Sequence, residues 1–181
     1  MLAEECALSR ERSGAVPPLA NAFAAVVEEH WLAVYRLLHS LSGNVHETED
    51  LTQETFLRAL QRLASFQPGT NMRNWLLRIA SNAFFDVRRK RKRAKAQPLT
   101  ADPAHDERPV GHNLEVAEQG ALVRAAMEDL TELTRLVFHL RATEELSFRE
   151  IAEIAGTTEQ AARWHMHEAR KRLMERMGDN L

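Results

Sequence analysis

At 181 residues the chain is long enough for one domain or two small ones, and its 44% hydrophobic and 28% charged content is that of an ordinary globular protein rather than a disordered or fibrous one. The net charge of −2 conceals a separation of sign, because seven of the 24 Lys and Arg residues lie between Arg88 and Lys95. A protein that merely coats DNA would be basic overall, so a basic face and an acidic face for different partners are expected.

The only cysteine, Cys6, leaves no internal disulfide to form and points to a reducing compartment. Glu4, Glu5 and Glu11 stand where a signal peptide would be apolar, and no run reaches membrane-spanning length. A cytoplasmic protein without membrane insertion is expected. Glycine and proline are scarce and helix-period patterns fill most of the chain. The fold class is therefore all-α, with two small helical domains joined by a flexible linker.

Residues 1–16 carry no period and read as a disordered tail. A first domain is expected over 17–95. Pro17 and Pro18 open a helix whose buried stripe is Leu19, Phe23, Val26, Val27, His30, Val34, Leu37, Leu38 and Leu41, ended by Gly43-Asn44. A second helix, His46 to Ser65, buries Leu51, Thr55, Phe56, Ala59, Leu60 and Leu63. Its other face carries Glu47, Asp50, Gln53, Glu54, Leu57 and Arg58. An exposed leucine among acids suits a docking surface, although acids in a first turn also complement the helix dipole.

Phe66-Gln67-Pro68-Gly69-Thr70-Asn71 is a turn, with Thr70 or Asn71 as cap for the helix that follows. That helix places Met72, Trp75, Leu76, Ile79, Ala80, Ala83, Phe84 and Val87 on one apolar stripe. It ends in Arg88, Arg89, Lys90, Arg91, Lys92 and Arg93, then Ala94 and Lys95. A cationic run on an anchored helix suits a polyanion, because each neutralised phosphate releases counterions.

Residues 96–113, with Pro98, Pro103, Pro109 and Gly111, read as a linker with an rms span of roughly 25 Å. A second domain is expected over 114–181. One helix runs to about Asp129, and another from Thr131 to Arg141 buries Leu133, Leu136, Val137 and Leu140. Then Ser147 and Glu150 form a capping box, with Leu146 placed to staple onto Ile151, and Ile151, Ala152 and Ile154 face inward. Gly156 turns the chain, and Thr157 or Thr158 caps a final helix held by Ala162, Met166, Ala169 and Leu173. Gln160, Arg163, Trp164, His167 and Lys171 share its outer face. This is helix-turn-helix geometry, with the second helix offered to a major groove.

Taken together, the chain resembles a bacterial RNA polymerase sigma factor of the extracytoplasmic-function (ECF) type from about Phe23 to Met177, apart from the linker. ETEDLTQETFLRAL (47–60) resembles the region 2 helix that grips the clamp coiled coil of the β′ subunit. FQPGTNMRNWLLRIASNAFFDVRRKRKR resembles the loop and helix that melt and read the −10 element. LSFREIAEIAGTTEQAARWHMHEARKRL resembles region 4, which reads the −35 element and touches the β flap.

The resemblance implies core-polymerase contacts at Asp50, Gln53, Glu54 and Leu57. It implies −10 contacts at Phe66, Gln67, Thr70, Asn71 and Asn82, with Arg88, Arg89, Lys90, Arg91, Lys92 and Arg93 on the DNA backbone. For the −35 element it implies Gln160, Arg163, Trp164, His167 and Lys171. Core polymerase, promoter DNA and an anti-sigma factor are the partners it implies, with no catalytic residue, cofactor or metal. The chain departs from the family at Ala161-Ala162-Arg163-Trp164-His165, usually Thr-Val-Lys-Ser-Arg, at Glu168, usually arginine, and at Thr131, usually proline.

Two rival readings make different demands. A stand-alone helix-turn-helix repressor would need a dimerisation helix for its half-sites, and it leaves the acidic face of the second helix unexplained. A metal-dependent helical enzyme is prompted by eight histidines, but His165 and His167 fall on different helix faces, and His105 and His112 fall in the linker.

Overall fold

A computed structural model of the chain describes residues 18–67, 69–96, 127 and 129–178. The tail expected over 1–16, nearly all of the linker, and the helix expected from Leu114 lie outside the described residues, apart from positions 127 and 129. Helices α1 (Pro18–Ser42), α2 (Val45–Arg62) and α3 (Met72–Ala96) come first, with a single 3-10 turn at Leu63–Ser65 after α2. They are followed by α4 (Glu132–Ala142), α5 (Phe148–Ala155) and α6 (Glu159–Gly178). Among the described residues there is no strand, and no helix is long and apolar enough to cross a membrane.

Helices α1, α2 and α3 each pack on the other two, as do α4, α5 and α6, giving two three-helix bundles. In the first, Val34, Leu37, Leu38 and Leu41 of α1 meet Leu51, Phe56 and Ala59 of α2 and a tight run on α3 from Leu76 to Phe84. Thr48, Thr52 and Thr55 are buried with them. Each donates its hydroxyl to the carbonyl four residues back at 2.7 Å, which removes the cost of burying a polar group. In the second bundle Leu136, Val137, Leu140, Ile151, Ile154, Ala162 and Met166 form the core.

Local signals account for the boundaries. Gly43 adopts φ +68° and ends α1, and Asn44 caps α2 by accepting from the Glu47 amide at 2.9 Å. Asn71 rather than Thr70 caps α3, accepting from Asn74 N at 3.3 Å, and Thr158 rather than Thr157 caps α6. Ser147 and Glu150 form the expected capping box, and Gly156 supplies the left-handed turn at φ +63°.

Several expectations need correction. Leu60, read as a core residue, is 44% exposed. It follows Leu57 by three residues and so continues the outer face, while Ala59 takes the core position. Glu47, placed on the outer face, is instead mostly covered because Arg88 and Arg91 of α3 reach it. The second helix stops at Arg62, and Leu63 is only partly buried in the 3-10 turn. Leu133 and Leu173 are likewise half-buried.

The bundles themselves are in contact, α1 against α4 and α3 against α5, and the buried residues form one continuous cluster through both. The two halves are thus closed on one another.

Candidate functional site

The outer face of α2 carries exposed Asp50 and Gln53 beside Leu57, which is 57% exposed. Leu60 extends this apolar strip, and Trp31 adds an exposed ring from α1, stacked on Phe56 at 5.6 Å. Glu54 differs from its neighbours, since Arg58 Nε donates to it at 2.6 Å and the same guanidinium reaches Asp86 of α3 at 3.3 Å. A leucine pair kept in water next to uncommitted acid and amide groups is a surface suited to another protein.

The loop before α3 leads into a cleft of about 410 Å³. Gln67, Thr70 and Asn71 line it, joined by Asn74, Trp75 and Arg78 from the first two turns of α3. Thr70 Oγ1 donates to the Gln67 carbonyl at 2.7 Å, which tightens the loop around Gly69 at φ +94°. Phe66 does not open into the cleft but meets the Trp75 ring edge-on at 5.3 Å, as a prop for its wall. Asn82 is exposed one turn beyond Arg78 and outside the cleft lining.

Sequence alone does not single out Asn74 and Arg78, although they follow Asn71 at helical spacing. Trp75 belongs to the core stripe by its period, yet it is half-buried with one side on the cleft.

The basic end of α3 is not uniform. Arg88 lies over the Phe84 ring at 5.0 Å and faces Glu132 of α4 at 3.4 Å and Glu47 of α2 at 3.9 Å. Arg91 pairs with Glu47 at 2.9 Å, Lys92 approaches Glu132 at 4.0 Å, and Arg89 sits 3.7 Å from Asp86. Lys90 and Arg93 face solvent. The run therefore has an inner side held by protein carboxylates and an outer side open to a polyanion.

In the second bundle, Gln160, Arg163, Trp164, His167 and Lys171 are all exposed along α6, with Trp164 at 59%. Arg163 is steadied by Glu159 at 3.2 Å and lies over the Phe148 ring at 4.8 Å. His165 turns inward, its Nδ1 2.9 Å from Thr134 Oγ1, and burial pushes its pKa below the ordinary histidine value. That neutral ring ties α6 to α4, whereas His167 faces out. Glu168 is engaged within its own helix by Arg172 Nε at 2.7 Å.

Comparison with known proteins accounts for both bundles. The Sigma-70 region 2 family model matches residues 26–94, and the Sigma-70 region 4 model matches residues 121–173. The chain is 31% identical over 171 residues to the ECF RNA polymerase sigma factor SigW of Bacillus subtilis, covering 88% of this chain and 90% of that protein. It is 37% identical over 156 residues to the ECF RNA polymerase sigma factor SigE of Mycolicibacterium smegmatis, covering 83% of this chain but only 59% of the longer relative. Its fold is similar to that of the sigma factor RpoE of Bartonella quintana, solved with the anti-sigma factor NepR, at a TM-score of 0.69 and 24% identity, covering 87% of this chain and 97% of that one. With two region-specific matches in order and a relative aligned over nearly its whole length, the chain belongs to the ECF family of RNA polymerase sigma factors, regulatory subunits that direct transcription initiation.

Proposed function

We propose that the chain is a dissociable promoter-specificity subunit that works only when bound to core RNA polymerase. The α2 surface of Asp50, Gln53 and Leu57, extended by Leu60, docks on the β′ clamp coiled coil, with Glu54 contributing through its pair with Arg58. The cleft formed by Gln67, Thr70, Asn71 and the first turns of α3 receives an extruded base of the −10 element, propped by Phe66 and flanked by Asn82. Reading an extruded base needs a pocket with amide and hydroxyl groups for its edge and an aromatic wall, and the cleft has both.

The outer cations of Arg88 to Arg93 hold the melted strand by its phosphates, which steadies DNA without reading it. On α6, Arg163 and Gln160 read base edges of the −35 element, Trp164 and His167 line the same face, and Lys171 meets a phosphate farther along. Region 4 also approaches the β flap. An anti-sigma factor is the regulator this family membership favours.

The observation that carries the reading is the exposed Leu57–Leu60 strip beside Asp50 and Gln53, which neither packing nor solvation explains. Asp50→Lys with Leu57→Ala is expected to abolish co-purification with core polymerase while circular dichroism stays unchanged. Undiminished core binding by that folded variant would reject the assignment.

A further inference from the structure

Trp164 leaves the surface of α6 with 59% of its area in water, yet its ring is braced. It meets the ring of His165 edge to face, with centroids 4.9 Å apart and planes at 77°. His165 in turn places Nδ1 2.9 Å from Oγ1 of Thr134, a residue only 2% exposed. The run ends at Thr131, whose Oγ1 lies 2.8 Å from Thr134 Oγ1 and, as the cap of α4, accepts from the Thr134 amide at 3.2 Å. Burial keeps His165 neutral at neutral pH, so Nδ1 can accept from Thr134 while Thr134 accepts from Thr131. A polar run therefore reaches from the start of α4 to an exposed ring on α6. It joins three of the positions, Thr131, Trp164 and His165, at which this chain departs from the family pattern.

Two adjacent side chains of the outer face are thus steadied from different sides, Arg163 by Glu159 and Phe148, and Trp164 by His165. Trp164 is the sixth residue of α6, within the turns that reach base edges when such a helix enters a major groove. It follows Gln160 by four residues and so stands one turn above it. The two braced groups suit different edges. A guanidinium takes the polar acceptors of guanine. An indole offers a broad apolar surface, and the apolar group that base edges present in the major groove is the thymine 5-methyl. Ordering a free side chain on binding costs rotamer freedom, and a ring already held by its neighbour loses less of it.

We propose that Trp164 reads the 5-methyl group of a thymine in the −35 element, at a position other than the one Arg163 reads, and that His165, Thr134 and Thr131 are positioning residues that hold its ring for that contact. The inference rests on α6 being the −35 helix, and its test treats that reading separately.

The test uses holoenzyme assembled from the full chain and core polymerase, with a duplex promoter fragment recovered by run-off transcription. Each −35 thymine, on either strand, is replaced singly by deoxyuridine, which removes the methyl group and keeps every base-pair hydrogen bond. At one position the parent is expected to lose about fourfold in affinity, the effect of one buried methyl-sized group. Trp164→Ala is expected to bind the thymine and deoxyuridine fragments equally, with the preferences that depend on Arg163 retained. A parent indifferent to every replacement overturns the proposal, as does a loss of the same size in Trp164→Ala.

Thr134→Val removes the hydroxyl at nearly constant shape and is expected to shrink the deoxyuridine effect, whereas Thr134→Ser keeps the hydroxyl and is expected to retain it. A folded Thr134→Val with the full effect overturns the positioning role. If that variant does not fold, His165→Ala decides, with loss of the thymine discrimination supporting the proposal and full retention overturning it. Arg163→Ala and Gln160→Ala test α6 itself. If both leave every −35 preference untouched, α6 is not the reading helix, and that assignment falls together with the proposal. If they alter the preferences while the deoxyuridine effect does not depend on Trp164, the proposal alone is refuted.

Discussion

Asn74 of α3 donates its side-chain amide to Oε1 of Glu150 at 2.9 Å, while Oε2 of the same carboxylate accepts from the Ser147 amide at 2.9 Å and its hydroxyl at 2.7 Å. One side chain thus starts the helix-turn-helix and touches the helix that follows the 66–71 loop. The hydrogen bonds from Ser147 hold its pKa below the ordinary glutamate value, so it is fully charged in both roles at neutral pH.

Glu144 gives the closed arrangement a pH dependence. Burial raises its pKa, but the His139 ring and the Arg73 guanidinium outweigh burial and hold it below the ordinary value of 4.5. His139 belongs to the same bundle as Glu144, so only the pair with Arg73 is particular to the closed form; that pair stabilises it while Glu144 is ionised, and the contribution is lost as pH falls through the lowered value. The radius of gyration is therefore expected to rise on acidification below 4.5, and Glu144→Gln to remove the part of the rise due to this group. Superimposable acid titrations of parent and variant would contradict the assignment.

The uneven basic run predicts uneven salt effects. Lys90→Gln with Arg93→Gln, on the solvent side, is expected to weaken holoenzyme binding at all promoters alike. It should also lower the slope of log affinity against log salt by about 0.7 for each single-strand phosphate that is no longer neutralised. Arg91→Gln, whose side chain already pairs with Glu47 at 2.9 Å, is expected to change the slope less. The measurement is a salt titration of holoenzyme on a melted promoter. Equal slopes for all three proteins would make the run a solvated helix end.

The roles proposed for α6 divide along the helix. Arg163 stands in its second turn with a guanidinium steadied by Glu159 and Phe148, an orientation suited to two-point contact with a guanine edge. Arg163→Ala is expected to cost about 1–3 kcal/mol on the preferred promoter and to relax one or two −35 positions. Lys171→Ala is expected to cost less and to affect all promoters evenly. Transcription from a library randomised across the −35 element separates them. If Trp164→Ala relaxes the base preference and Arg163→Ala does not, the assignment of roles on this face is reversed.

Much of the architecture is legible in the sequence because its signals are local. The helical stripes of α1 and α3, the Ser147–Glu150 capping box and the Gly156 turn each depend on residues within a few positions of one another. Sequence misleads where distant partners decide the outcome. Glu47 looks solvent-facing from its own helix, but Arg91 lies 44 positions away and covers it. Leu60 looks apolar and therefore buried, yet the helical phase puts it beside Leu57. Asn74 and Arg78 stay hidden because polar residues on a basic helix resemble ordinary solvation until the fold sets them in the wall of a cleft. The closure of the two bundles has no local signature, since it depends on acids and bases paired across the linker.

The most direct test of the central claim is run-off transcription with purified core polymerase on a library of genomic fragments. The chain is expected to produce transcripts with defined start sites that core polymerase alone does not make, and Asp50→Lys with Leu57→Ala is expected to eliminate them. Identical transcript profiles with and without the chain would contradict its role as a promoter-specificity subunit.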